Sequence, residues 1–418
     1  MYIYKTLSNG IRVVAEEIPY LKSVSIGVWV GCGSRCEKKE ENGISHFIEH
    51  MLFKGTQKRG ASDIASEIDA VGGQINAFTA REYTCFYTKT LDEHTPVAMD
   101  ILSDMIFDPA FRDADTELER GVILEEISLY EDSPEDLVYD LFSEAVWGDS
   151  PMGRTILGTK DTLDKISPDT LRAFMRKNYT GDSIIISVSG KLCENFFELL
   201  EQYFGNVSLN KGIPEMYDAE YSPRRIVKTK DIEQLQLVVG FNGIDVMDES
   251  VYSLLVFNNV FGNGMSSRLF QNIREKYGLV YSICAGHSAY INTGTFDISA
   301  GMSAANAPRV AELICDEIRR IKRDKLTHAE VDAAKEMLKG NYILSCESTG
   351  ARMQNAGRSL LLNKPVCSQE EALRKIEAVT VDTTAEIIDR VLDTESVAAA
   401  AVGQLDTLDG LFENINYS

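Results

Sequence analysis

Histidine, positive charge and long apolar runs are all scarce in this 418-residue sequence. Lys and Arg number 42 against 64 Asp and Glu, a formal net charge of −22. That balance argues against a sequence-independent nucleic-acid binder, whose affinity rests on cations meeting phosphates. It argues equally against docking on an anionic membrane surface. No segment reaches the about 18 uncharged apolar residues of a membrane helix. The opening MYIYKTLSNG has no basic stretch leading into an apolar one, so no secretory signal is expected. The eight cysteines form no C-x-x-C pair, and only Cys32 and Cys36 lie close together. Reduced, structural thiols and a cytoplasmic location fit that pattern. What is present is ordinary for a folded chain: 44% hydrophobic and 25% charged residues, with length for two or three domains.

The order of elements repeats. Turn signals and alternation predict strands over 10–15 and 23–30, then helices over 45–53 and 62–71. Two strands follow around Ala80-Arg81-Glu82, then helices near 95–106, 115–128, 136–145 and 168–177 and a strand over 183–189. The second half offers a strand over 234–241, helices over 250–260 and 266–277, strands over 279–285 and 295–301, and helices over 307–322 and 329–344. Ile166-Ser-Pro-Asp-Thr170 aligns with Val379-Thr-Val-Asp-Thr383, and Gly190 with Gly403, both at an offset of 213 residues. The expectation is an α+β fold of two homologous domains, each a mostly antiparallel sheet packed with helices. The polar segment 206–223, with Gly212, Pro214 and Pro223, places the joint so that the domains span 1–210 and 211–418.

The chemistry concentrates in Gly43-Ile-Ser-His-Phe-Ile-Glu-His-Met-Leu-Phe53. His46 and His50 stand four apart, so a helix puts both on one face. Two such imidazoles can reach one Zn²⁺ at about 2.0–2.1 Å. Glu49, beside that face, can take a proton from a water at the metal. The chain has five histidines, and a His-x-x-acid-His arrangement arises from such a composition by chance in about one sequence in a hundred. Ile44, Phe47, Ile48, Met51, Leu52 and Phe53 make the helix largely apolar, hence buried. A buried His–Glu–His cluster is costly unless a metal or hydrogen bonds satisfy it.

A zinc hydrolase usually takes a third protein ligand and leaves one position for water. With two neutral imidazoles, a carboxylate is expected. The segment Asp115–Ser128 offers Glu119, Glu125 and Glu126. Glu119 and Glu126 are two helical turns apart and share a face, and Val122 and Ile123 beside it suggest that it points inward. Composition and spacing leave the choice among these carboxylates open.

The motif His46-Phe-Ile-Glu-His50, the following Met-Leu-Phe-Lys-Gly-Thr56 and the downstream Glu119-Arg-Gly-Val-Ile-Leu-Glu-Glu126 resemble the pitrilysin-type zinc metallopeptidases, the inverzincins with H-x-x-E-H, and within them the processing-peptidase-like branch. The resemblance spans essentially the whole chain. It implies that Glu126, 76 residues after His50, is the third zinc ligand and that Glu119 orients a ligand from behind. Gly73-Gln-Ile-Asn-Ala-Phe-Thr79 is similar to the family's active-site edge strand, on which substrate pairs as an added strand; Asn76, Ala77 and Phe78 would contact it. Ser267–Ser282 is similar to the family's Arg…Tyr element, which implies that Arg274 and Tyr281 hold the substrate carbonyl and its developing oxyanion. The two domains would face each other as a clamshell. Single-chain members have about four such domains around a chamber, so a two-domain chain is expected to form a homodimer.

The resemblance therefore implies a zinc metalloendopeptidase acting on unfolded peptides or leader segments. Two alternatives stand beside it: a non-catalytic scaffold subunit of the same fold, as in the core subunits of respiratory complexes, and a zinc amidase with non-peptide substrates. The charge deficit is local as well as global. Residues 101–150 hold 15 acidic and 2 basic residues, and that stretch carries Glu119 and Glu126. A wall of that sign should favour basic peptides.

Overall fold

In Ser23-Val-Ser-Ile-Gly-Val-Trp-Val30, alternation sends Val24, Ile26, Val28 and Val30 into one apolar cluster. Trp29, on the opposite face, enters another. A strand buried on both faces needs cover on both, and the architecture supplies it. The protein is described by a computed structural model covering residues 2–416. This strand is β3 of a six-stranded sheet made from β1 (Tyr2–Thr6), β2 (Arg12–Glu17), β3 (Ser23–Val30), β4 (Gln74–Thr79), β5 (Thr84–Leu91) and β6 (Ile184–Gly190). The spatial order is β1-β2-β6-β3-β5-β4, with β2–β6 the parallel pair and the rest antiparallel.

The second sheet has five strands, β7 (Arg225–Thr229), β8 (Gln234–Asn242), β9 (Val280–Tyr290), β10 (Thr293–Ser303) and β11 (Ala398–Gly403). Its order, β7-β11-β8-β10-β9, repeats β2-β6-β3-β5-β4, again with one parallel pair, β7–β11. The 213-residue offset marks equivalent places. Ser167 and Thr380 each cap a helix through a capping box, Pro168–Asn178 and Val381–Val391. Gly190 and Gly403 each end the inserted strand at positive φ, +137° and +144°. The chain is thus two copies of one α+β unit. Strands β1 and β7 and the helix Thr349–Leu361 lie outside the elements expected from sequence. The expected helix over 266–277 includes π-type turns at Phe270–Glu275. No helix among the described residues is long and apolar enough to cross a membrane, and none of the eight cysteines is in a disulfide.

A single cut at residue 210 does not describe how the chain packs. One unit comprises 1–127, 155–217 and 344–368, the other 128–154, 218–343 and 369–418. The helix Thr349–Leu361, from the second half of the chain, lies on the first sheet. There Met353 joins Trp29, Cys85 and Ile185, and Ala356 joins Val14. Its close approach requires glycine, because a Cβ on Gly357 would collide with the Trp29 indole and one on Gly27 with the Met353 thioether. Ser25 and Thr349 share a hydrogen bond of 2.8 Å, and Arg352 pairs with Glu16 at 2.6 Å. The helix Pro134–Trp147, from the first half, lies on the second sheet, packing Leu137, Val138, Phe142 and Val146 on Val238, Ala398, Ala400 and Val402. These two helices begin 215 residues apart, close to the repeat offset. Each copy covers one sheet face with the helix of the other copy, and a linear boundary read from composition cannot register that exchange.

Beneath the helix Pro134–Trp147, Asp297 of β10 sits between Gly240 of β8 and Gly286 of β9. Burial pushes its carboxyl up to about 6, from about 3.9 in an unfolded chain. The group is protonated in both states below its unfolded value, so its contribution is complete there. It is lost as pH rises through 6, because only the unfolded state ionises freely. The difference between the folded and unfolded values corresponds to about 3 kcal/mol. Asp297→Asn should therefore unfold at a higher midpoint than the parent at pH 8 and at a similar one at pH 4. A difference that does not grow between those pH values in denaturation curves would contradict this.

Candidate metal centre

The helix Ile44–Leu52 carries the His-x-x-Glu-His motif. Ile44, Phe47, Ile48, Met51 and Leu52 anchor it in the core of the first unit. A helix start leaves its first N–H groups without intrahelical partners. The N-cap here is Gly43 at φ +93°, which has no side chain to accept them. Glu37, fully buried, does so instead. It accepts from the backbone N–H of Gly43 at 2.8 Å and Ser45 at 2.9 Å, and from Asn42 Nδ2 at 3.2 Å. Burial pushes its carboxyl up to about 7 against the pull of these hydrogen bonds.

The helix Asp113–Asp132 brings the acidic side. Glu119 and Ile123 are buried, whereas Val122 is exposed, so the inward face is narrower than the sequence suggests. Glu126 Oε2 lies 3.7 Å from His46 Nε2 and 3.4 Å from His50 Nε2. One ligand atom from each of the three residues falls within 4.8 Å of the others, and among the described residues this is the group that could hold a metal ion.

The donor set fits zinc. Ligand distances of 2.0–2.1 Å in a tetrahedron put ligand atoms about 3.4 Å from one another, close to the two separations found. Three acceptors facing one another repel unless a cation lies between them. Without a metal, burial and the neighbouring His50 push His46 down to about 4. Burial also works against charge on His50, but hydrogen bonds to Glu126 and Glu119 outweigh it and raise its pKa. Glu126 is lowered chiefly by its hydrogen bond with His50. A protonated His50 is one answer to the cluster, and a divalent cation on His46, His50 and Glu126 is the other.

The two imidazoles are held differently. His50 Nδ1 lies 3.0 Å from Glu119 Oε2, and Glu119 Oε1 pairs with Lys54 Nζ at 2.5 Å. Donation from Nδ1–H to Glu119 leaves the Nε2 lone pair free for a metal. His46 Nδ1 is buried and has no hydrogen-bond partner among the described residues, so packing alone orients that ring.

Glu49 points to a different neighbour. Its Oε2 accepts a hydrogen bond from Thr79 Oγ1, at the end of β4. Burial raises its pKa, opposed by Thr79 and by His50. Strand β4 pairs only with β5 and forms the edge of the sheet. Asn76 is exposed on it and accepts from the Ala77 N–H at 2.8 Å. Ala77 packs toward the core, and Phe78 turns to the other face against Trp29, Tyr83 and Tyr87. Arg274 and Tyr281 belong to the second unit. The Arg274 guanidinium lies 4.6 Å from the Phe270 ring centroid, and Tyr281 is 71% exposed on β9.

Residues 12–160 match the family described as Insulinase (Peptidase family M16), and residues 165–338 match the Peptidase M16 inactive domain. The chain belongs to peptidase family M16. This M16 chain is 41% identical over 397 residues to "Uncharacterized zinc protease YmxG" of Bacillus subtilis (strain 168), covering 95% of this chain and 97% of that one. It is 37% identical to "Uncharacterized zinc protease SCO5738" of Streptomyces coelicolor, covering 93% and 86%. In fold it is similar to a protease from Helicobacter pylori, with a TM-score of 0.89 at 20% identity over 96% of this chain and 99% of that one. A Peptidase M16 inactive domain structure from Pseudomonas fluorescens also reaches 0.89, at 19% identity over 97% and 98%. The pitrilysin-type resemblance is thus upheld at family level.

Sequence reasoning assigned no role to Glu37, Lys54 or Thr79 in this M16 site. Glu37 was findable as an acid ahead of a helix whose cap is glycine. Lys54 lies within one motif already singled out and Thr79 ends another, but their partners depend on tertiary packing. Two substitutions test the centre. Glu126→Gln should reduce zinc well below one ion per chain, and full occupancy by elemental analysis would reject Glu126 as a ligand. Glu119→Ala should weaken zinc binding about 10- to 100-fold, read by competition with a chelator; unchanged affinity would remove its orienting role.

Proposed function

We propose that this chain is a zinc metalloendopeptidase that hydrolyses peptide bonds in unfolded peptides or leader segments. The observation that carries the reading is the convergence of His46, His50 and Glu126, with Glu49 on the same helix tethered to an edge strand. His46, His50 and Glu126 would hold the ion, with Glu119 keeping His50 in the binding tautomer. Bound there, zinc supplies Lewis acidity, lowering the pKa of water toward about 7 and polarising a carbonyl.

The chain's own groups do the rest. Glu49 takes the proton of the attacking water and passes it to the leaving amine. Burial supports this role, because a carboxylate with a raised pKa holds a proton better at the moment it must carry one. The free edge of β4 offers main-chain donors and acceptors to an extended peptide, which selects unfolded segments and tolerates many sequences. Asn76, Ala77 and Phe78 lie along that edge. Arg274 and Tyr281 are read as the pair that holds the substrate carbonyl and its oxyanion. Arg274 makes no ion pair among the described residues and Tyr281 is exposed, so both polar heads are free for that task. Pairing with a second copy and a cytoplasmic location complete the reading.

Glu49→Gln should keep one zinc per chain and lose cleavage of a quenched fluorescent peptide by at least about 100-fold. Retained turnover in that variant would reject the mechanism.

A further inference from the structure

The edge strand and the base share one hydrogen bond. Side chains alternate along β4, so Ile75, Ala77 and Thr79 lie on one face and Asn76 and Phe78 on the other. The register against β5, from Gln74 opposite Lys89 to Thr79 opposite Thr84, fixes that alternation. Ile75 and Ala77 pack against the core cluster that holds the helix Ile44–Leu52. Phe78 is locked on the far face, with ring centroids 5.8 Å from Trp29 and 6.2 Å from both Tyr83 and Tyr87. Just beyond Thr79, the Ala80 N–H donates to Tyr83 O at 2.8 Å and closes the β4–β5 turn. The strand end cannot rotate without breaking these contacts, so the Thr79 hydroxyl is presented at a fixed place. Among the described residues it is the one hydrogen-bond donor to Glu49.

A glutamate has three side-chain torsions, and a general base works only when one oxygen meets its proton in line. Thr79 takes Oε2 and thereby fixes the plane of the carboxylate, leaving Oε1 to do the chemistry. We propose that Thr79 is a positioning residue: its hydroxyl, on the inner face of the edge strand, aims Glu49 and ties the base's orientation to the strand on which a peptide would pair. The inference rests on the reading of Glu49 as general base and β4 as the peptide's partner. A hydroxyl is required for this task, and the shape of the side chain is not.

The test compares Thr79→Val, which keeps the branched shape, with Thr79→Ser, which keeps the hydroxyl. With the zinc-loaded full chain and a quenched peptide, Thr79→Val should lower kcat about 10- to 100-fold with KM within about twofold. Zinc content and unfolding midpoint should stay those of the parent, and Thr79→Ser should remain within about threefold of the parent's kcat. A parent-like kcat in Thr79→Val overturns the proposal. So does an equal loss in both variants, which would make the effect one of strand packing, or a loss carried by KM alone. Crystal structures of the two variants give a readout independent of turnover. Glu49 should leave its rotamer in Thr79→Val and keep it in Thr79→Ser; an unmoved Glu49 in Thr79→Val overturns the proposal. A parent chain that cleaves no peptide would reject the peptidase reading, and the structures would still decide the Thr79 contact.

Discussion

Two imidazoles and four carboxylates are crowded around one nine-residue helix, where water has little access, and every one of them needs a partner. Glu37 finds the open N–H groups of the helix start. Glu119 is held between His50 and Lys54. Glu49 is held by Thr79. What remains unanswered is the set of lone pairs on His46, His50 and Glu126 that face one another. A divalent cation would satisfy all three at once and complete a network whose other members already have partners. The apolar flanks of the helix serve the same end, since a rigid core holds the ligand atoms at their spacing before any ion arrives.

The fold supplies that rigidity by an exchange. Each sheet buries both faces, one under the helices of its own copy and one under a single helix contributed by the other half of the chain. Gly357 and Gly27 allow the helix Thr349–Leu361 to lie directly on Trp29 and the middle of the first sheet. β3 and β6 are buried along nearly their whole length as a result, while β4, at the far edge, keeps an open side. The open edge is where chemistry can be offered a strand, because its main-chain groups are unpaired there. The first unit carries the cluster His46, His50 and Glu126 that could hold a metal ion, and the second lacks an equivalent cluster among the described residues.

Most of the fold was legible because it rests on local periodicity. The alternation of β3, the helix spacing of Ile44–Leu52 and the cap residues Ser167 and Thr380 all survive into the structure within a residue or two. The repeat was legible for a sharper reason: Gly190 and Gly403 sit at positive φ, so the offset recorded a backbone requirement that a side chain meets poorly. The strands β1 and β7 were missed because both are edge strands, whose partly exposed residues lack a strong alternating signal. The helix Thr349–Leu361 was missed because its contact face includes Gly357 and Ala356, which carry little hydrophobic weight in a pattern.

By itself the sequence determined which groups meet on the first helix, since His46, Glu49 and His50 lie within about one helical turn and local geometry alone puts them together. It also determined the two-copy architecture. It could not determine which downstream carboxylate completes the site, because Glu119, Glu125 and Glu126 differ only in the direction a helix presents them. Tertiary packing decided that Glu126 meets the Nε2 atoms of both imidazoles while Glu119 sits between His50 Nδ1 and Lys54 and Glu125 stays exposed. It decided likewise that Thr79, thirty residues from Glu49, reaches the Glu49 carboxylate, and that the two halves of the chain exchange helices. Contacts of that range depend on how sheets and helices stack, and no periodicity in the chain encodes them.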